Sequence, residues 1–67
     1  MIASRLGTVA SYDVATGFGF VSPHEGGTDA TFGRDDCDRE PQRGSLVSFA
    51  TGARAGRPIA EHIKVLR

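Results

Sequence analysis

The stretch Gly17-Phe18-Gly19-Phe20-Val21 holds the residues whose types and spacing could do chemistry. Phe18 and Phe20 stand two apart, so on a strand both rings leave the same face. Gly17 and Gly19 take the alternate places and put almost nothing on the other face. Glycine weakens a strand and marks a bend or a close approach of backbone, so the bare side fits one pressed into a curved sheet. Flat exposed rings stack unpaired nucleobases at roughly 1–3 kcal/mol per base. The same two rings would serve equally well as ordinary core, and the stretch alone leaves both readings open.

Other chemistries find less support. His24 beside Glu25, and His62 beside Glu61, are sequence neighbours that need not face one another. Two histidines, one cysteine and scattered acids do not make a metal site of recognised spacing. Gly17-Phe18-Gly19 lacks the rest of a phosphate-cradling loop and opens no helix. The expectation is therefore no catalytic residue, no metal and no cofactor.

The elements that must position the rings are short. The chain has 67 residues, which implies a single domain over 1–67. A domain of this size buries only about 60% of its unfolded surface. Its one cysteine, Cys37, cannot form an internal disulfide, which fits a reducing cytoplasm. No apolar run approaches the roughly 20 residues that span a bilayer, and Met1-Ile2-Ala3-Ser4-Arg5 is too short for a signal peptide. These features predict a soluble cytoplasmic protein that does not engage a membrane.

Nine glycines and three prolines interrupt the apolar runs, and no segment carries a sustained 3.6-residue stripe. That pattern predicts an all-β chain. The first strand is Leu6 to Asp13, whose weak alternation does not reveal its buried face. A turn over Asp13–Gly17 leads into a second strand, Gly17 to Ser22, ended by Pro23. His24 to Asp29 is a polar connection, and Ala30 to Gly33 is the third strand. Arg34 to Arg43 reads as an acidic loop with room for one helical turn where Asp35 and Asp36 favour an amino terminus. Leu46 to Ala50 is the fourth strand, with Val47 and Phe49 on one face. Gly52 to Pro58 reads as a flexible basic loop. The fifth strand, Ile59 to Leu66, places Ile59, Glu61, Ile63 and Val65 on one side. Helical spacing of Ile59, Ile63 and Leu66 competes there, but the β-branched content favours strand. Five short strands predict a Greek-key barrel of the oligonucleotide-binding (OB) type, which also removes exposed sheet edges.

At this point the chain resembles the cold-shock domain family, five-stranded barrels that bind single-stranded RNA and DNA. The resemblance spans nearly the whole chain. Gly7-Thr8-Val9 looks like the family's opening strand. Gly17-Phe18-Gly19-Phe20-Val21-Ser22-Pro23 matches its first ribonucleoprotein motif closely. Asp29 followed by Ala30-Thr31-Phe32 falls at the second motif. Gly44 to Phe49 and Gly56 to Ile63 resemble the fourth and fifth strands. The binding equipment is partly replaced. Where the family usually carries Lys-Trp-Phe on the first strand, this chain has Ala10-Ser11-Tyr12, and the usual Lys before the first motif is Thr16. The Phe, His and Phe of the second motif are Thr31, Gly33 and Arg34. The connection between strands three and four is shorter than usual and lacks the family's aromatic.

The resemblance implies single-stranded RNA or DNA as partner. Tyr12, Phe18, Phe20 and Arg34 are the candidate stacking residues, Arg34 through its guanidinium plane. Arg54, Arg57 and Lys64 are the candidate phosphate contacts. Losing three or four plates at roughly 1–3 kcal/mol each lowers affinity a hundredfold or more. The balance of charge points the same way, since eight basic residues face eight acidic ones and phosphate binding rests on cations. That charge is uneven. Residues 1–42 hold three basic and seven acidic side chains, and residues 43–67 hold five and one. The expected activity is weak binding. The alternative is a protein-interaction or self-associating module, a weak homodimer that uses the aromatic pair and the segment Arg34 to Glu40.

Overall fold

The computed structural model describes residues 4–67; Met1, Ile2 and Ala3, part of the stretch judged too short for a signal peptide, lie outside the described residues. Five strands form where the β-branched and aromatic residues cluster: β1 (Arg5–Asp13), β2 (Phe18–Pro23), β3 (Ala30–Gly33), β4 (Leu46–Arg54) and β5 (Arg57–Val65). A single 3₁₀ turn covers Arg34–Asp36, where the acidic loop was expected to hold one helical turn. Asp36 there accepts a hydrogen bond from the Gly33 backbone N–H at 3.2 Å.

The strands close into a barrel in the order β1-β2-β3-β5-β4. Every neighbouring pair is antiparallel except β3 and β5, which run parallel with Thr31 beside Ile59. This is the all-β, OB-type barrel expected from the spacing of the short apolar runs. Val9, Val21, Val47, Phe49 and Ile63 are fully enclosed at its centre, joined by Ala30, Phe32, Ala60 and Val65. Val47 and Phe49 share the inner face of β4 as their spacing requires.

Two bulges set which side chains point in. On β1, pairing steps from Val9–Val21 to Ser11–Phe20, so Ala10 is an extra residue. A bulge inserts one residue and reverses the alternation beyond it. Gly7 and Val9 therefore point inward before it, and Tyr12 rather than Ser11 does so after it. On β5, Ser48 faces Lys64 while Ala50 faces Glu61, so His62 and Ile63 together oppose Phe49. His62 absorbs the step with a φ of 50°. The expected grouping of Ile59, Glu61, Ile63 and Val65 on one side is thereby corrected. Ala60 is the inward residue before the bulge, and Ile63 and Val65 are inward after it.

Gly52 to Pro58 is not a flexible loop. β4 and β5 run on to Arg54 and Arg57, which pair directly across a two-residue turn. Ala55 and Gly56 both have positive φ, 53° and 77°, the geometry of the tight turn whose twist matches its flanking strands. No helix among the described residues is long and apolar enough to cross a membrane.

Candidate nucleic-acid interface

Phe18 and Phe20 lie on the outer wall of the barrel, 63% and 46% exposed. The reading of these two rings as core is thus excluded by their position. Gly19 between them explains how β2 can carry both. A Cβ at Gly19 would sit 2.3 Å from the Ser11 carbonyl oxygen and 2.9 Å from the Phe32 ring. The inner side of β2 is pressed flat against β1 and the core, while its outer side bears two plates.

The register names what surrounds them. Residues directly opposite on antiparallel strands present side chains to the same face. Phe20 lies between Ser11 of β1 and Thr31 of β3, and Phe18 lies between Asp13 and Gly33. A shallow depression over the two rings is lined by Ser11, Tyr12, Asp13, Gly19 and Thr31. The resemblance set Ser11 in the place of a stacking aromatic, but sequence reasoning missed Asp13 as a neighbour of the rings. The bulge at Ala10 puts both residues there, and no residue type at that position signals it.

Tyr12 is placed differently. It pairs with Gly19, and its ring is stacked on buried Phe32, the ring that lies over Gly19, at 5.9 Å between centroids and 3° between planes. It is half-buried and packs against the core, and it also lines the depression beside Phe18 and Phe20. Arg34 is equally occupied. Its Nε donates to the Tyr12 hydroxyl at 3.1 Å, and its Nη2 donates to the Val14 carbonyl. Its backbone N–H donates to the Gly17 carbonyl at 2.6 Å, and Glu40 stands 3.7 Å from Nε. The hydrogen bond to Tyr12, with the Glu40 charge behind it, raises the guanidinium pKa above its ordinary value. The side chain ties the tip of the β1–β2 turn to the segment after β3.

Among the candidate cations, Arg54 and Arg57 flank the β4–β5 turn and line an open groove that also includes Phe18, Thr31 and Gly33. Asp35 and Asp36 border the same groove. Lys64 is not brought to this site. It lies opposite Ser48, which in turn pairs with Leu6, on the wall made by β1, β4 and β5. Cys37 is half-buried, and its thiol donates to the Gly33 carbonyl at 3.7 Å. Burial, with Asp36 and Asp38 adjacent, pushes its pKa up to about 11, which leaves it a poor nucleophile at neutral pH. No group of three or more His, Cys, Asp or Glu among the described residues is arranged to hold a metal ion.

Comparison with solved structures decides the fold family. The Drosophila Unr CSD456 structure aligns with 98% of this chain at a TM-score of 0.80 and 28% sequence identity, and this chain spans 28% of the length of that one. The chain has the fold of a cold-shock domain. No family model and no curated protein matches its sequence. The chain therefore shares the barrel and carries the two β2 rings, while Ala10, Ser11, Thr16, Thr31, Gly33 and Arg34 stand where the family it resembles usually carries aromatic or basic residues.

Proposed function

We propose that this domain binds single-stranded RNA or DNA weakly, by stacking bases on Phe18 and Phe20. The observation that carries the reading is the exposure of those two rings, side by side on one wall. Exposed large apolar side chains grouped together mark an interaction surface. A duplex hides its base faces, so the partner is unpaired. Arg54 and Arg57 lie across the groove from Phe18, where a phosphate backbone would pass. Two plates at roughly 1–3 kcal/mol each, with two phosphate contacts, imply weak binding, with a dissociation constant of about tens of micromolar or higher. The fold's kinship with nucleic-acid-binding cold-shock domains supports the reading, and a cytoplasmic, non-enzymatic role is part of it.

The self-association alternative draws less from the molecule. In the segment Arg34 to Glu40, Asp36 accepts from Gly33 N–H, Asp38 accepts from Val65 N–H at 3.0 Å, and Arg39 donates to the Val65 carbonyl at 2.9 Å. Those side chains are engaged with the chain itself.

The test is fluorescence anisotropy of a labelled oligonucleotide of about six to eight bases in low salt. A saturating rise below about 500 μM protein is expected. The double substitution Phe18→Ala, Phe20→Ala should abolish the rise while leaving the circular dichroism spectrum and melting temperature nearly unchanged. A flat titration of the native protein at that concentration, or binding that survives the double substitution, removes the proposal. A mass in size-exclusion chromatography that doubles with concentration would favour self-association.

A further inference from the structure

The two sides of the aromatic pair differ in charge, and that difference fixes how a stacked base must face. On the β5 side, Arg54 and Arg57 border the groove. On the β1 side, Asp13 lies directly opposite Phe18 in the ladder, on the same outer face. A phosphate backbone is drawn to the cationic side and kept from the carboxylate, so a base stacked on Phe18 directs its free edge toward Asp13. Arg34, Asp35 and Asp36 line the groove beside Gly33; the Arg34 guanidinium is taken up by the Tyr12 hydroxyl, the Val14 carbonyl and Glu40, so Arg54 and Arg57 remain the cations open to the backbone.

Resting on the stacking proposal, we propose that Asp13 makes this domain prefer guanine at the Phe18 position over thymine or uracil. An ionised carboxylate only accepts hydrogen bonds, and its two oxygens offer about four lone-pair sites. One site is occupied: Asp13 Oδ1 accepts from the Ala15 backbone N–H at 2.9 Å. That bond holds the carboxylate in place at the start of the turn and leaves acceptor capacity facing outward. Guanine presents two adjacent donors on its Watson–Crick edge, the N1–H and the N2 amino group, which fit a carboxylate side by side. Thymine and uracil present one N–H between two carbonyl oxygens, and those oxygens repel the carboxylate. Cytosine and adenine offer one amino donor beside a ring acceptor and rank between them. Ser11, opposite Phe20, can both donate and accept, so the second plate exerts no such choice.

Heptathymidylate, the same oligomer with one central guanine, and the same with inosine in place of that guanine test this by anisotropy. The guanine oligomer is expected to bind about tenfold more tightly than heptathymidylate, the scale of one good paired contact to a base edge. Inosine, which lacks the N2 amino group, should lose most of that gain. In Asp13→Asn the amide oxygen still accepts from Ala15, but the acceptor-only character is gone. Its guanine-to-thymine ratio should fall to within about twofold, whatever its absolute affinity. Equal binding of the three oligomers by the native protein overturns the assignment and leaves stacking intact. A guanine preference that survives Asp13→Asn also overturns it. Failure of every oligomer to bind removes the stacking proposal itself. The inosine comparison needs no variant, so it holds even if the substitution unfolds the protein.

Discussion

A methyl group at position 19 has nowhere to go. The Ser11 carbonyl oxygen that it would meet at 2.3 Å is backbone, and Phe32 behind it is core, so neither can yield cheaply. Gly19→Ala should therefore destabilise the barrel by about 1–3 kcal/mol or more, the cost of forcing extra volume into a packed interior. For a domain of this size that lowers the melting temperature by roughly 4–8 °C per kcal/mol. Phe18→Ala, one residue away, removes an exposed ring and should stay within about 0.5 kcal/mol of native. Thermal melts of the two variants side by side check the pair. Equal losses would mean that Phe18 contributes to the core and that its exposure is not what it is here. The Phe-Gly-Phe spacing made this division of labour legible from sequence, because glycine and phenylalanine alternate with the pleat. Tyr12 and Arg34 were not legible in the same way. A tyrosine reads as a surface plate until the pairing partner is known, and only the Tyr12–Gly19 register turns it inward.

At the scale of the elements, the sequence misleads wherever a strand carries an irregularity without a glycine to mark it. Ala10 on β1 and His62 on β5 each add one residue and reverse the alternation beyond them. The faces read from β5 were accordingly wrong before the bulge, although the strand itself was right. The β4–β5 turn was hidden for a related reason. Ala55 occupies a position with φ of 53° that normally falls to Asn, Asp or Gly. Left-handed backbone costs an ordinary residue about 1–2 kcal/mol, so this turn is under strain. Ala55→Asn, which creates the favoured Asn-Gly pair, should stabilise the protein by about 0.5–1 kcal/mol. His62→Gly should help less, because histidine tolerates that conformation better than alanine does and glycine loses more entropy on folding. Urea midpoints of the two variants test the ranking. A destabilised Ala55→Asn would show that the turn takes another form in solution.

For the whole molecule, closing the barrel redistributes a charge pattern that the sequence presents as two halves. The basic carboxy-terminal half does not form one cationic face. β4 and β5 run antiparallel, so Arg54 and Arg57 meet at one end of the hairpin while Lys64 lies toward the other, opposite Ser48. The Cα extents of 28 × 26 × 22 Å keep those ends well apart relative to a Debye length of about 10 Å at 0.1 M salt. Among the described residues, only two cations beyond the engaged Arg34 therefore stand near the aromatic pair. Counterion release from single strands gives a slope of log affinity against log salt of about −0.7 per phosphate neutralised. Two contacts predict a slope near −1.4, so raising salt tenfold should weaken binding about 25-fold and not abolish it. The double substitution Arg54→Ala, Arg57→Ala should bring the slope close to zero while part of the stacking affinity remains. Lys64→Ala should leave the slope unchanged. A native slope of −3 or steeper, or one that falls with Lys64→Ala, would mean that the strand wraps beyond this wall onto the β1–β4–β5 side, and the site would then have to be redrawn around the whole barrel.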